Sequence, residues 1–184
     1  MPIILEEAPI SATEKAYEIL AMKTGFYDQG ASFEHLGPFS YAKLAPEDFL
    51  AEDFRLASET WLFPFKAGNR FPQLLLRRGS HKFHAAYGNH WYNKHLYDYV
   101  IAAMSSEDAS PKTVTFFTIP TVLISGLCVT NVETKTVNFH ALCRLIDKQS
   151  GFEDFSFSEF SALVADHHSF LKRTEAIPVE PTSS

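Results

Sequence analysis

Cysteine is nearly missing from this chain: Cys128 and Cys143 are the only two in 184 residues, too few for a disulfide framework. Each lies in an apolar, strand-like run that suits a small buried thiol. A hairpin turning about Val132 would set Cys128 opposite Val137 and Cys143 opposite Val122, so reduced thiols are expected. Long apolar runs are missing too, and no stretch approaches the roughly 20 residues a membrane helix needs. The opening Met-Pro-Ile-Ile-Leu-Glu-Glu has no basic segment and no apolar run of signal length, which predicts a cytoplasmic protein with no membrane partner. Basic excess is absent as well. Sixteen Lys and Arg against twenty-two Asp and Glu leave a net charge of −6, which argues against double-stranded nucleic acid as a partner. No phosphate loop, paired Cys-x-x-Cys or internal repeat is visible, and Ser125-Gly126 lacks the Gly-x-Ser-x-Gly elbow of a hydrolase nucleophile.

What is present is large apolar side chains. The chain is 46% hydrophobic and contains seventeen Phe, ample for one buried core. The periodicity predicts a single domain over 11–174, an N-terminal arm over 1–10 and a flexible tail over 175–184. A first helix is expected from Ser11, with Glu14 completing a capping box. A second is expected from Pro46, with Leu50, Phe54, Ala57 and Trp61 as an apolar stripe. Gln73 to Arg77 reads as a short strand, and Asn89 to Met104 as a helix presenting Tyr92, Leu96, Tyr99 and Ala103. Period-two alternation then gives strands over 113–119, 121–130 and 136–146, and a final helix starts at Ser156 with Glu159 in capping position. The expected fold class is therefore α+β: an antiparallel sheet of three C-terminal strands plus one short earlier strand, packed with about four helices.

Charge is unevenly spread. Residues 1–60 are net −7 and residues 101–184 net −4, whereas 61–100 are net +5. The basic block also holds His81, His84, His90 and His95, interleaved with Tyr87, Trp91, Tyr92, Tyr97 and Tyr99. Guanidinium groups pair with oxyanions through a planar fork while ring faces stack, so this block suits an anionic ligand, phosphate-bearing or aromatic. Arg77, Arg78 and Lys82 are the candidate anion-binding cations; His81, His84, Tyr87 and Trp91 are the candidate pocket wall. For acid–base chemistry the candidates are His95 with Asp98, three apart on one helix, and His140, flanked by Asn138 and Arg144. A metal site is not expected: His90 and His95 are five apart, off the helical spacing that brings ligands together, and no cysteine lies near.

The ending Leu74-Leu75-Leu76-Arg77 is similar to the first motif of the mono-ADP-ribosyltransferases, but the Ser-Thr-Ser strand and Glu-x-Glu loop of that family are absent, and no family follows. Three functions are compatible with the pattern. The first is binding of a small anionic ligand or substrate through residues 70–99. Docking of an acidic protein partner is the second, and single-stranded nucleic-acid binding the third.

Overall fold

The computed structural model describes residues 3–5, 7–49, 54, 56–88, 91–105, 110–143 and 151–175. His90, Arg144 and nearly all of the expected tail lie outside them. In chain order the elements are α1 (Ile10–Met22), β1 (Phe33–His35), β2 (Phe39–Lys43), β3 (Thr60–Ala67), β4 (Gln73–Arg77), β5 (Phe83–Tyr87), α2 (Trp91–Met104), β6 (Lys112–Ile119), β7 (Ile124–Asn131), β8 (Val137–Cys143), β9 (Phe152–Ser156) and α3 (Phe157–Glu175). Short 3-10 turns occupy Thr24–Phe26, Pro46–Phe49 and Pro120–Val122.

Nine strands form one mixed sheet in the order β5-β4-β3-β2-β6-β7-β8-β9, with β1 also paired to β3. This overturns the expected four-stranded antiparallel sheet with about four helices. β2 and β6 pair in parallel, and the described residues form three α-helices. The largest error fell on the stripe from Leu50 to Trp61. Leu50 lies outside the described residues, Pro46–Phe49 forms a short 3-10 turn, Phe54 and Ala57 lie in neither helix nor strand, and Trp61 belongs to β3, where alternate residues face opposite sides. A spacing of four and seven fits one helix face over a short run, and partners distant in sequence decided otherwise. Residues 33–35, 39–43 and 83–87 are strands that the loop-like composition hid, and Phe152–Ser156 pairs with β8 before the final helix begins.

β1 and β2 follow one another along the same edge of β3, separated by Gly37-Pro38. Gly37 has φ +87, and a Cβ there would come within 2.6 Å of the Phe39 ring, so this break requires glycine. The β7–β8 hairpin pairs Thr130 with Val137, which places Cys128 opposite Phe139 and Cys143 opposite Ile124, two residues away from the expected register. At the helix ends, Ser156 and Glu159 do form the capping box: the Ser156 N–H donates to the Glu159 carboxylate at 2.8 Å, and the Glu159 N–H donates back to the hydroxyl at 3.4 Å. Ser11 caps nothing; α1 starts one residue earlier, behind Pro9.

Strand alternation sends two different sets of side chains to the two faces. On one face α1 covers Trp61, Phe63, Phe65, Leu74 and Leu76, while α3 covers Phe117, Phe139 and Ala141. On the other, α2 lays Leu96 and Val100 over Phe39, Leu62, Leu75, Val114, Phe116 and Leu127. Ile3 is buried in that second layer and bridges to Lys112. No helix among the described residues is long and apolar enough to cross a membrane.

Candidate functional site

The pairing registers line up one row of side chains across seven strands on the α2 face: Arg77, Thr60, Tyr41, Phe116, Leu127, His140 and Asp154. α2 covers the middle of this row. Two polar features lie along it, a cavity toward Arg77 and a histidine pair toward Asp154.

The cavity has a volume of about 820 Å³. Its floor is made by face-up residues of β2, β3, β6 and β7, and Tyr92 and Leu96 of α2 close it from above. Its interior is phenolic and amide in character. Burial, then the charge and hydrogen bond of neighbouring Tyr87, then Tyr92, push the Tyr41 hydroxyl far above the usual phenol range, so Tyr41 is a neutral group inside the cavity. Gln73 lines the same space from β4, is only 4% exposed, and its Nε2 has no hydrogen-bond partner among the described residues. Leaving a buried amide unpaired costs about 1–3 kcal/mol. The mouth holds Lys43, Arg77 and His84 as exposed cations or potential cations, with Glu59 as the one carboxylate and Thr118 and Ser125 as hydroxyls.

Three of the seven expected ligand residues, Arg77, His84 and Tyr87, therefore line one cavity, and four do not. Arg78 turns to the opposite face, where its guanidinium lies 3.7 Å over the Trp61 ring and donates to the Ser40 hydroxyl. His81, in a left-handed turn, contacts the Ser11 hydroxyl at 3.3 Å, and Lys82 is exposed beside it. Trp91 is 56% exposed on the far flank of α2. The rest of the basic block is partly neutralised by the acidic N-terminal segment: Arg70 binds Asp28 at 3.0 Å and Lys66 approaches Glu34 at 3.7 Å.

The candidate acid–base residues are brought together. His95 Nε2 and His140 Nε2 are 2.9 Å apart, although 45 positions separate them in sequence. The partner carboxylate is Asp154, whose Oδ1 accepts from His140 Nδ1 at 2.8 Å, and Asp98 instead forms an i, i+4 pair with Lys94. His140 is 7% exposed and faces α2. Tyr99 stacks on it with ring centres 3.9 Å apart, and Phe152 stacks on His95 at 4.2 Å. Along the row, Arg77 and His140 are separated by five strand spacings of about 4.8 Å each, too far for one small molecule to be held by both.

Tyr41, Gln73, Tyr92 and Asp154 were missed in the sequence. Gln73 was the traceable one: a lone amide at the head of an apolar run is polar where the strand is buried. Asp154 carried no such signal, because β9 borders the final helix and its phenylalanines read as the entry to it. Compared with protein-family models, curated proteins and solved structures, the chain matches none.

Proposed function

We propose that this protein binds a small, planar, anionic molecule in the cavity beneath α2. The observation that carries this reading is Gln73, a buried amide with an unpartnered nitrogen in the wall of a cavity large enough for a drug-sized ligand. Ligand oxygen would complete its hydrogen bonding, the aromatic walls from Tyr41, Tyr87 and Tyr92 would take a ring, and Arg77 with Lys43 would hold the anionic group at the mouth. The division of the basic block between two faces, with Arg70 and Lys66 already paired, favours this over a continuous docking surface for an acidic partner.

Anilinonaphthalene sulfonate, an aromatic anion, is a suitable probe. The folded protein is expected to bind it saturably with one site, and Arg77→Ala with Lys43→Ala should weaken binding by tenfold or more, as expected when charge-assisted hydrogen bonds worth about 1.5–3 kcal/mol are lost. Lys82→Ala, outside the cavity, should leave affinity unchanged. Binding that is unsaturable, or indifferent to Arg77 and Lys43, would remove the reading.

A further inference from the structure

We propose that Asp154, His140 and His95 form a one-proton relay that makes Nδ1 of His95 a general base toward an aromatic substrate laid against Trp91. The proposal is independent of the cavity.

The relay follows from hydrogen-bond inventory. A carboxylate only accepts, so the 2.8 Å contact to Asp154 requires the hydrogen on Nδ1 of His140. That leaves a lone pair on Nε2 of His140 when the ring is neutral, and the 2.9 Å contact then requires Nε2 of His95 to donate. Nδ1 of His95 is left bare on an exposed side chain that makes no other hydrogen bond among the described residues. The two imidazoles are nearly coplanar, at 8°, and their 5.2 Å centre separation is the 2.9 Å bond plus one ring radius at each end. The nitrogens therefore meet head-on, the geometry of a shared proton rather than of two ligands splayed around a metal ion. One added proton is the capacity of the pair, since a second would force two N–H groups against each other. One end of the chain is closed by Asp154, and the other, Nδ1 of His95, is open.

The charged and titratable groups facing His95 are Lys94 and Asp98 of α2, His140 of β8 and Asp154 of β9, while Tyr99 stacks on His140. Burial first, and then His140, hold His95 below the ordinary imidazole value against the opposing pull of both carboxylates, so the base is unprotonated at neutral pH. Beside it, Trp91 presents its exposed ring edge-on to Phe152 with centres 6.0 Å apart, a ledge on which a planar group can lie.

With para-nitrophenyl acetate as probe, His95 Nδ1 takes a proton from a water molecule. That water's oxygen bonds to the acyl carbon, and para-nitrophenolate leaves with the electrons of the broken ester bond. Acetic acid is the other product, and the proton returns from His95 to solvent. The full chain is expected to hydrolyse the ester faster than buffer, with a rate rising with pH along one sigmoid whose midpoint lies below that of free imidazole. His95→Gln should return the rate to that of buffer, and Asp154→Asn, at a largely exposed side chain, should lower it 10- to 100-fold with the fold intact. His168→Gln on the opposite face should change nothing. Nitrogen-15 spectra should show His95 as the Nε2–H tautomer and a mixed tautomer state at His140 after Asp154→Asn. A parent rate equal to buffer or to His95→Gln, or a His95 proton found on Nδ1 at neutral pH, would overturn the relay.

Discussion

On the face covered by α1 and α3, Phe139 and Phe160 stack with ring centres 4.2 Å apart, and Phe49, Phe54, Phe117 and Phe157 surround them at 5–7 Å. On the face beneath α2, the same strands present Tyr41, Thr118, Ser125 and His140, and part of the space is the cavity. One face is filled with stacked rings; the other holds, in the wall of a cavity, the buried Gln73 amide whose nitrogen has no partner among the described residues. Close packing is where core substitutions are most costly, so the two sides of one sheet should differ in what a substitution costs.

The widest separation should come from cutting a hole in each face. Phe160→Ala removes a fully buried ring and should cost about 3–5 kcal/mol, read as the shift in a urea unfolding midpoint. Ser125→Ala, at the cavity wall, should cost less than about 1 kcal/mol. Comparable losses at both positions would mean the two faces are equally packed in solution.

Next in size is Gly126→Ala, which acts on both faces at once. A Cβ at Gly126 would lie 2.2 Å from the His140 carbonyl oxygen and 2.8 Å from Ala141 Cα, both backbone atoms that cannot swing aside. The expected cost is about 1–3 kcal/mol, with β8 displaced and His140 moved from His95. The nitrogen-15 signature of the histidine pair should then be lost while the chain still folds cooperatively. An unchanged signature would show that β8 yields without carrying its side chains.

How much of this division was readable beforehand varies element by element. The face-up and face-down sets of β8 were plain, because Val137, Phe139 and Ala141 alternate with Asn138 and His140 over seven residues. So were α2, and the cap of α3, where Ser156 and Glu159 sit three apart. β1, β2 and β5 were not legible. They are short, Gly37 and Pro38 interrupt the run between β1 and β2, and they are strands because β3, β4 and β6 lie beside them. The sites divide likewise. Arg77, His84 and Tyr87 were found because they share one basic, aromatic-rich block of the sequence, and His95 and His140 were found singly. Their meeting, with Asp154 as orienting group, depends on β8 pairing with β9 and on α2 crossing above, and no spacing within the chain encodes that.

Acid should probe both faces more gently. Burial lowers the pKa of His35, His95 and His167, so each binds fewer protons folded than unfolded. Stability is therefore fully present above the ordinary histidine value of 6.5 and is lost as pH falls through it, levelling once pH drops below the folded values. Urea midpoints measured downward from about pH 7.5 should decline, and His167→Gln, on the face of α3, should flatten part of that decline. A flat profile over the same interval would contradict the lowered pKa of all three.

The smallest effect has the opposite sign. Gln73→Leu replaces an unpartnered buried amide with an apolar group of similar size, removing a desolvation cost without breaking a hydrogen bond of Nε2. It should raise stability by about 1 kcal/mol while weakening anilinonaphthalene sulfonate binding. Stabilisation together with lost binding would mean that the cavity face is held in a less stable form for its ligand. Were the variant instead destabilised, the Gln73 nitrogen would already have a partner in the free protein, a bound water being the simplest, and the contrast between the ring-packed face and the polar one would narrow to the histidine pair alone.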